Sequence, residues 1–257
     1  MIRDMKTGVV LRYWALLTVV ALSTVFVSCG SRYQEPLFGG MNGRVQKVTV
    51  WHLMPEVWHA NERGTDVMYM NASGYDVNGY EICSALMDTA GRVQTEAESL
   101  FENGVCVRSI QKGGGRVMAR INLVSSKRGT LEYKKEENGR VVQMVVKESS
   151  FGRKHKSVVT EDGKTTTISV IQTDSKGYPV KITVTDPQTG EEVIQTNTYD
   201  EKNNIIEKHV SVKGEEKDEI TYTEYFDFDE KGNWKEARTF NRNRLPVEVL
   251  VREIEYW

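Results

Sequence analysis

The sequence predicts an all-β protein built as a long antiparallel meander of repeated hairpins. Turn signals rich in Gly, Asn and Asp recur roughly every ten to fourteen residues between positions 73 and 232. The segments between these signals alternate polar and apolar residues, and Thr, Val and Ile dominate positions 165–212. Because faces this polar cannot both be buried, we expect one face of the sheet to contact water. The pattern does not decide whether the sheet curls into an open barrel or folds over itself.

The chain divides into three segments. Residues 1–28 match a signal peptide, with a positively charged start followed by an apolar run at 13–27. Residues 29–43 are rich in glycine and show no period, which predicts a flexible tether. Residues 44–257 then form the antiparallel β domain.

The end of the leader carries one specific chemical signal. Phe26-Val27-Ser28-Cys29 resembles the lipobox of bacterial lipoproteins, in which a signal peptidase cuts before a cysteine whose thiol carries a diacylglycerol. The resemblance covers the leader alone, and Phe26 stands where leucine is commonest. It implies acylation of Cys29 and stable membrane anchoring by two or three acyl chains. An unacylated secreted protein and a retained transmembrane helix are the alternatives.

The same resemblance implies a location. In lipoproteins the residue after the cysteine influences sorting, and Gly30 stands here instead of the Asp that is associated with the inner membrane. The outer membrane is therefore the expected location. No acidic run follows Cys29, so the sequence leaves open which face of that membrane carries the protein.

Strands can be placed in the β domain from residue 44 onwards. The first strand is predicted at Arg44 to Leu53, where Met54-Pro55 ends it. Residues 93–101 alternate as a strand, although a capping-box spacing also permits a helix, and we prefer the strand. Residues 220–228 alternate with aromatic residues on one face and threonines on the other.

A disulfide is one open question. Three cysteines are present, and the lipid would occupy Cys29. Cys83 and Cys106 would then lie in an oxidising compartment, where a disulfide can persist. If one strand lies between them they are about 9.6 Å apart, which is twice the ladder spacing, whereas a disulfide needs Cα atoms within about 7 Å. A folded-over sheet would bring them together, so the Cys83–Cys106 pairing stays undecided.

Several turns share an Asp-x-x-Gly or Asp-x-x-Asn form. They begin at Asp88, Asp174, Asp200 and Asp229, and the last two follow an aromatic residue. The Asp side chain can cap the turn, and Gly or Asn takes a positive φ. These turns resemble the tyrosine-aspartate repeats of RHS-type proteins, which build antiparallel sheet. The resemblance is loose and implies no catalytic residue, and hairpin chemistry alone also explains it.

Composition and motifs identify no reaction. The formal net charge is −2, and removal of the leader changes it to −4, so no nucleic-acid partner is predicted. The histidines show no zinc spacing, and neither a phosphate loop nor a nucleophile motif is present, so we predict no metal and no cofactor. His52 and His59 each follow a tryptophan and are the only histidines that suggest a site. The short basic run 153–156 fits a solvated loop as well as a site for an anionic partner.

Four tryptophans are the candidate binding residues of the β domain, because exposed aromatic rings stack on sugars or grip protein partners. They are Trp51, Trp58, Trp234 and Trp257. The alternative is that Trp234 and Tyr256 only seal the last hairpin.

These observations favour a lipid-anchored envelope protein that acts as a non-catalytic binding or scaffolding module. Its expected partners are the membrane, through acyl chains on Cys29, and an unidentified envelope protein or glycan. The first alternative is an envelope hydrolase with a scattered site, which a pocket converging on His52 or His59 with carboxylates would favour. The second is a half-barrel carrier of an apolar ligand, which an apolar inner face would favour.

Overall fold

A computed structural model describes residues 41–55, 67–127, 129–215 and 218–257. Within these ranges the chain contains no helix with the length and apolarity that a membrane span requires. They form sixteen strands, namely β1 (Val45–Leu53), β2 (Val67–Tyr75), β3 (Glu81–Met87), β4 (Val93–Glu102), β5 (Val105–Gly113), β6 (Arg116–Lys127), β7 (Thr130–Glu137), β8 (Arg140–Phe151), β9 (Lys154–Glu161), β10 (Lys164–Thr173), β11 (Pro179–Thr185), β12 (Glu192–Tyr199), β13 (Ile205–Val212), β14 (Glu219–Phe228), β15 (Trp234–Asn241) and β16 (Pro246–Tyr256).

The strands form a closed antiparallel barrel in which each strand pairs with its neighbours in sequence. The predicted all-β meander is therefore confirmed. Residues 93–101 belong to the strand β4, not to a helix. The sheet closes because β1 pairs with β16 from Val45↔Tyr256 to Leu53↔Val249, so it is neither an open barrel nor a folded-over sheet. Closure removes both sheet edges.

The topology assigns every turn to one of two rims. We call the end that holds the starts of the odd-numbered strands and the ends of the even-numbered strands the entry rim, and the opposite end the far rim. The described chain begins at the entry rim with Met41 and ends there with Trp257, whose backbone N–H donates to the carbonyl of Arg44 at 3.0 Å. A tether preceding residue 41 therefore joins the barrel at the entry rim.

Side chains alternate between an inner and an outer face. On β6, β7 and β8, Ile121, Tyr133 and Met144 share one face and are at most 2% exposed. Arg120 and Lys134 point to the opposite face and are exposed. Because side chains converge on the concave face of a closed barrel, the buried set faces the interior and the charged set faces outward.

The buried apolar side chains are distributed around the barrel wall. Among the described residues they form one cluster on β6–β8, one on β10 and β11, and one at the β1–β2–β16 seam. Eight strands make a barrel that side chains just fill, and sixteen enclose more room. Inward residues therefore pack against neighbours in the same wall. Small polar residues share this face and are buried, namely Ser157, Ser169, Thr173 and Asn197.

The outer face carries ion pairs along the strands. Lys112 lies 2.6 Å from Glu98 and 3.0 Å from Glu96. Lys134 lies 2.9 Å from Glu136. These charges occur within strands and not only at the rims. Charged side chains therefore lie along the length of the outer face.

The Asp-x-x-Gly turns owe their shape to the Asp side chain. At Asp174 one carboxylate oxygen accepts the backbone N–H groups of Lys176 at 2.8 Å and Tyr178 at 2.9 Å. Gly177 has φ +94°, where a side chain would be strained. Equivalent hydrogen bonds are made by Asp76, Asp88 and Asp229. The predicted capping chemistry is confirmed, and it sets where each hairpin reverses.

Two tyrosines connect successive turns at the entry rim. The hydroxyl of Tyr199 donates to the carbonyl of Pro179 at 2.9 Å, and the hydroxyl of Tyr225 donates to the carbonyl of Ile205 at 2.8 Å. Each acceptor directly follows the turn of the preceding hairpin. Burial raises the pKa of both tyrosines to about 12. Tyr199, directly before the Asp200 turn, and Tyr225, four positions before Asp229, thus link neighbouring hairpins.

The Cys83–Cys106 disulfide is absent. Cys83 is an exposed, free thiol on β3, whereas Cys106 lies on β5 and is 1% exposed. The strand β4 lies between β3 and β5. Because the sheet closes into a barrel instead of folding over, nothing shortens the separation of two strand spacings.

Candidate functional site

A cavity of about 600 Å³ lies at the seam where the barrel closes. We call it the seam cavity. Residues of β1, β2, β16 and the β14–β15 hairpin line it. Its apolar lining comprises Trp51, Leu53, Val67, Val251 and Ile254, and its polar lining comprises Asp227, Asp229, Lys235, Glu236, Arg252, Glu253 and Tyr256. Apolar and aromatic surface combined with a few polar groups is typical of a ligand site.

Arg252 is the most distinctive polar group of the seam cavity. Its Nε–H donates to the carbonyl of Trp234 at 2.9 Å, and the guanidinium lies 3.7 Å from the centre of the Trp234 ring. Burial lowers the pKa of Arg252 to about 10, so the group stays charged at neutral pH. No described carboxylate lies within 4.0 Å of it. A partly buried cation with its terminal N–H groups not paired to a carboxylate is suited to holding a ligand oxygen.

Asp229 and Asn233 organise one wall of the seam cavity. Asp229 accepts a hydrogen bond from the Tyr256 hydroxyl and from the backbone N–H groups of Lys231 and Asn233. The Asn233 side chain donates to Tyr256 at 2.7 Å and to the carbonyl of Asn42 at 2.9 Å. Asn233 is 4% exposed. These groups therefore fix the start of the described chain to the β14–β15 turn.

The remaining carboxylates of the seam cavity are only partly available. Asp227 pairs with Lys235 at 3.1 Å, and Glu236 pairs with Arg238 at 3.0 Å. Glu253 is exposed. The lining therefore offers one unpaired cation, one exposed carboxylate and aromatic surface.

Acid should weaken the fold through Asp229. Burial acts to raise the pKa of this carboxyl, but the hydrogen bonds from Tyr256, Asn233 and Lys231 outweigh it and lower the pKa below 3.8. The stability that the carboxylate contributes is present above the unfolded pKa and is lost as the pH falls through the folded pKa. We expect the melting temperature to fall less between pH 5 and pH 2 in Asp229→Asn than in the wild type, as measured by circular dichroism. Asp227→Asn is the control. If the acid-induced fall in melting temperature is reduced equally in both variants, the assignment of the effect to Asp229 is wrong.

A second polar cluster surrounds His52 on the inner face. Its Nδ1 lies 2.6 Å from a carboxylate oxygen of Glu248, and its Nε2 lies 3.0 Å from the side-chain nitrogen of Asn71. The ring of Tyr69 stacks on His52 with the ring centres 4.0 Å apart. The side-chain nitrogen of Asn71 can only donate, so in the neutral imidazole Nε2 accepts and Nδ1–H donates to Glu248. Both ring nitrogens of His52 therefore have a side-chain hydrogen-bond partner.

The predicted aromatic residues separate into two groups. Trp51 lines the seam cavity, and Trp234 supports Arg252 beside it. Trp257 is 55% exposed at the entry rim and is not part of the lining. Trp58, His59 and Cys29 lie outside the described residues, so their predicted roles stay predictions.

Sequence reasoning missed the residues that complete both sites. Arg252 lies about 200 positions after Trp51, and it is brought near only by the β1–β16 pairing. Glu248 and Asn71 meet His52 through the same seam. None of these carries a local motif. Among the described residues no group of three or more His, Cys, Asp or Glu side chains could hold a metal ion.

The fold and the two seam sites define a closed, sixteen-stranded antiparallel β-barrel protein. Similar solved structures include a porin-like protein from Bacteroides uniformis, with 8% identity and a TM-score of 0.48, covering 83% of this chain and 98% of that one. A porin-like protein from Bacteroides vulgatus has 9% identity and a TM-score of 0.44, with the same coverage. The Photorhabdus luminescens Tc holotoxin pore has 10% identity and a TM-score of 0.20, covering 75% of this chain and 17% of that one. No protein-family model and no curated protein sequence matches the chain.

Proposed function

We propose that this protein is a non-catalytic binding module of the cell envelope, tethered to the outer membrane through acyl chains on Cys29. Its barrel stands in water beside the membrane and binds a glycan in the seam cavity. The observation that carries the proposal is that Trp51, Tyr256 and Arg252, whose guanidinium has no carboxylate partner among the described residues, line this one cavity.

The outer face supports a barrel that stands in water. A membrane-spanning barrel needs an outward apolar band about 25 Å tall, and a Lys or Arg facing lipid at mid-depth costs about 2–4 kcal/mol. Arg120 and Lys134 are exposed on adjacent strands of this barrel, and the outer ion pairs of Lys112 and Lys134 lie close by. Several such charges would together make lipid contact strongly unfavourable. A lipid on Cys29 would instead hold the barrel beside the membrane.

The lining of the seam cavity suits a glycan. Aromatic faces pack against the apolar faces of sugar rings, while charged and hydroxyl groups exchange hydrogen bonds with sugar hydroxyls. Trp51 and Tyr256 provide the aromatic surface, Arg252 provides donors, and Glu253 provides an exposed acceptor. A cavity of about 600 Å³ is large enough for a short oligosaccharide.

The two alternatives receive less support from the interior. A hydrolase would need a base that faces the cavity, whereas His52 is not among the residues that line the seam cavity. A carrier of an apolar ligand would need an apolar inner face, whereas Ser157 and Asn197 are buried on that face. The binding module remains the function that the described residues support best.

A glycan array probed with the purified protein tests the proposal. We expect Trp51→Ala to weaken binding of any retained glycan roughly tenfold, because loss of a central aromatic contact costs about 1.5 kcal/mol or more. Trp257→Ala is the matched control, since this exposed tryptophan lies outside the cavity, and it should bind as the wild type does. An array without a retained glycan, or equal losses in the two variants, would refute glycan binding at the seam.

A further inference from the structure

We propose that the outer face of β8, β9 and β11 near the entry rim is a docking surface for an anionic lipid bilayer. We call it the basic face. It consists of five exposed cations around one exposed aromatic side chain, namely Lys147, Arg153, Lys154, Lys156, Lys181 and Phe151. The inference deepens the proposed membrane tether, because it states which side of the barrel the membrane contacts.

Strand register places these cations side by side. Lys154 and Lys181 both pair with Gln172 of β10, from opposite sides. They are therefore about 9.6 Å apart, twice the spacing between strands. Lys156 lies two residues along β9 on the same face as Lys154, about 6.6 Å away. Lys147 pairs with Val158, the next outward position of β9.

Within the described part of the chain, the cations of the basic face have no carboxylate partner. No described carboxylate lies within 4.0 Å of Lys147, Lys154, Lys156 or Lys181. The neighbouring Ser157 is buried and faces inward, so the alternation of β9 holds the two lysines outward. Some cations elsewhere on the outer face are paired, as Lys47 is with Glu255 at 2.8 Å and Lys112 is with Glu98 at 2.6 Å. The basic face is thus a local surplus of positive charge on a chain whose formal net charge is −2.

Phe151 distinguishes a membrane from a soluble anion. It ends β8 at the entry rim and is 90% exposed, more than any other large hydrophobic side chain described. An aromatic residue flanked by basic residues is suited to the interface of a bilayer, where the ring enters the acyl boundary and the cations contact anionic headgroups. A soluble anion would leave this ring in water.

The position of the tether agrees with this orientation. The chain enters the barrel at the entry rim with Met41, and Phe151 lies at the same rim. Cys29 precedes Met41 by 12 positions, so a lipid on it stays within about 40 Å of that rim. The basic face can therefore reach the bilayer that holds the lipid.

Vesicle co-sedimentation of the full chain carrying Cys29→Ser tests the basic face without any acyl contribution. We expect binding to vesicles of phosphatidylcholine with phosphatidylglycerol, and little binding to phosphatidylcholine alone. Loss of one cation near an anionic membrane weakens binding about fivefold, so the double variant Lys154→Glu with Lys156→Glu should weaken it about 25-fold or more. Phe151→Ala should weaken it roughly tenfold.

Lys47→Glu with Lys112→Glu is the matched control, because it changes the net charge equally at paired outer positions. Equal losses in the two double variants would overturn the inference, as would absence of binding to the anionic vesicles. Retention on a soluble anionic polysaccharide without vesicle binding would also overturn it and assign the face to that polymer. Because the protein in this test is not acylated, the result is independent of whether Cys29 carries a lipid or the seam binds a glycan.

Discussion

Replacement of Cys29 by alanine should move the protein completely from the membrane fraction to the soluble fraction. The thiol is the only group proposed to take the diacylglycerol, and stable anchoring needs two or more acyl chains. The measurement is fractionation of cells in high-salt buffer, with intact mass of the purified protein. High salt is used because it screens the electrostatic attraction between the basic face and the membrane, whereas it does not weaken the insertion of acyl chains.

The released variant should stay folded and soluble without detergent. The outer face of the barrel carries charge at Arg120, Lys134 and Glu98. A barrel whose outer face contacts lipid would instead aggregate once it left the membrane. Cys83→Ala is the control, because it removes an exposed thiol on β3 and should leave fractionation unchanged. If Cys29→Ala keeps the wild-type fractionation and mass, the lipid anchor is wrong. If it precipitates unless detergent is added, the barrel spans the membrane.

Tyr133→Ala should lower the free energy of unfolding by about 3–5 kcal/mol, the usual cost of deleting a large buried aromatic ring. Tyr133 is 1% exposed and packs in the largest apolar cluster, with Ile121, Leu131, Met144 and Val146. This cluster lies in one part of the wall, so few other contacts can collapse into the space that the ring leaves. Urea unfolding followed by circular dichroism would measure the change.

Two variants make the Tyr133 result interpretable. Tyr133→Phe keeps the ring and should cost only about 1 kcal/mol, the net value of one hydrogen bond. Val124→Ala removes an apolar side chain that is 67% exposed on β6 and should change little. A loss below 1 kcal/mol in Tyr133→Ala would show that the interior tolerates a vacancy and is not packed as described.

Local chemistry made the hairpins predictable. Asp174 and Gly177 mark a turn in the sequence because the carboxylate caps backbone N–H groups and glycine accepts a positive φ, and both effects act within five residues. The strand β4 was predicted by alternation over a permitted helix, and the structure confirms it. Trp51 is a candidate binding residue from its type alone; the structure places it in the lining of the seam cavity, and its binding role stays a prediction.

Long-range closure explains what could not be predicted. Arg252 has no motif around it, and its burial depends on Trp234 and on the pairing of the first strand with the last. Glu248 and His52 are 196 positions apart and meet for the same reason. The sequence left the Cys83–Cys106 pairing undecided because it depended on whether the sheet folds over, and in the closed barrel β4 separates the two cysteines and Cys83 is a free thiol.

The sequence by itself determined the strand-turn-strand repeat, its turn positions and the expectation of an exported, acylated chain, because each depends on neighbouring residues. Only the tertiary structure decided that the sheet closes, which face is inner, that Trp51 and Arg252 line one cavity, and that Lys154 and Lys181 flank Gln172. Alternation states that two faces exist without saying which one becomes concave. Closure decides this, because pairing β1 with β16 makes side chains converge on one face and leaves the other in water.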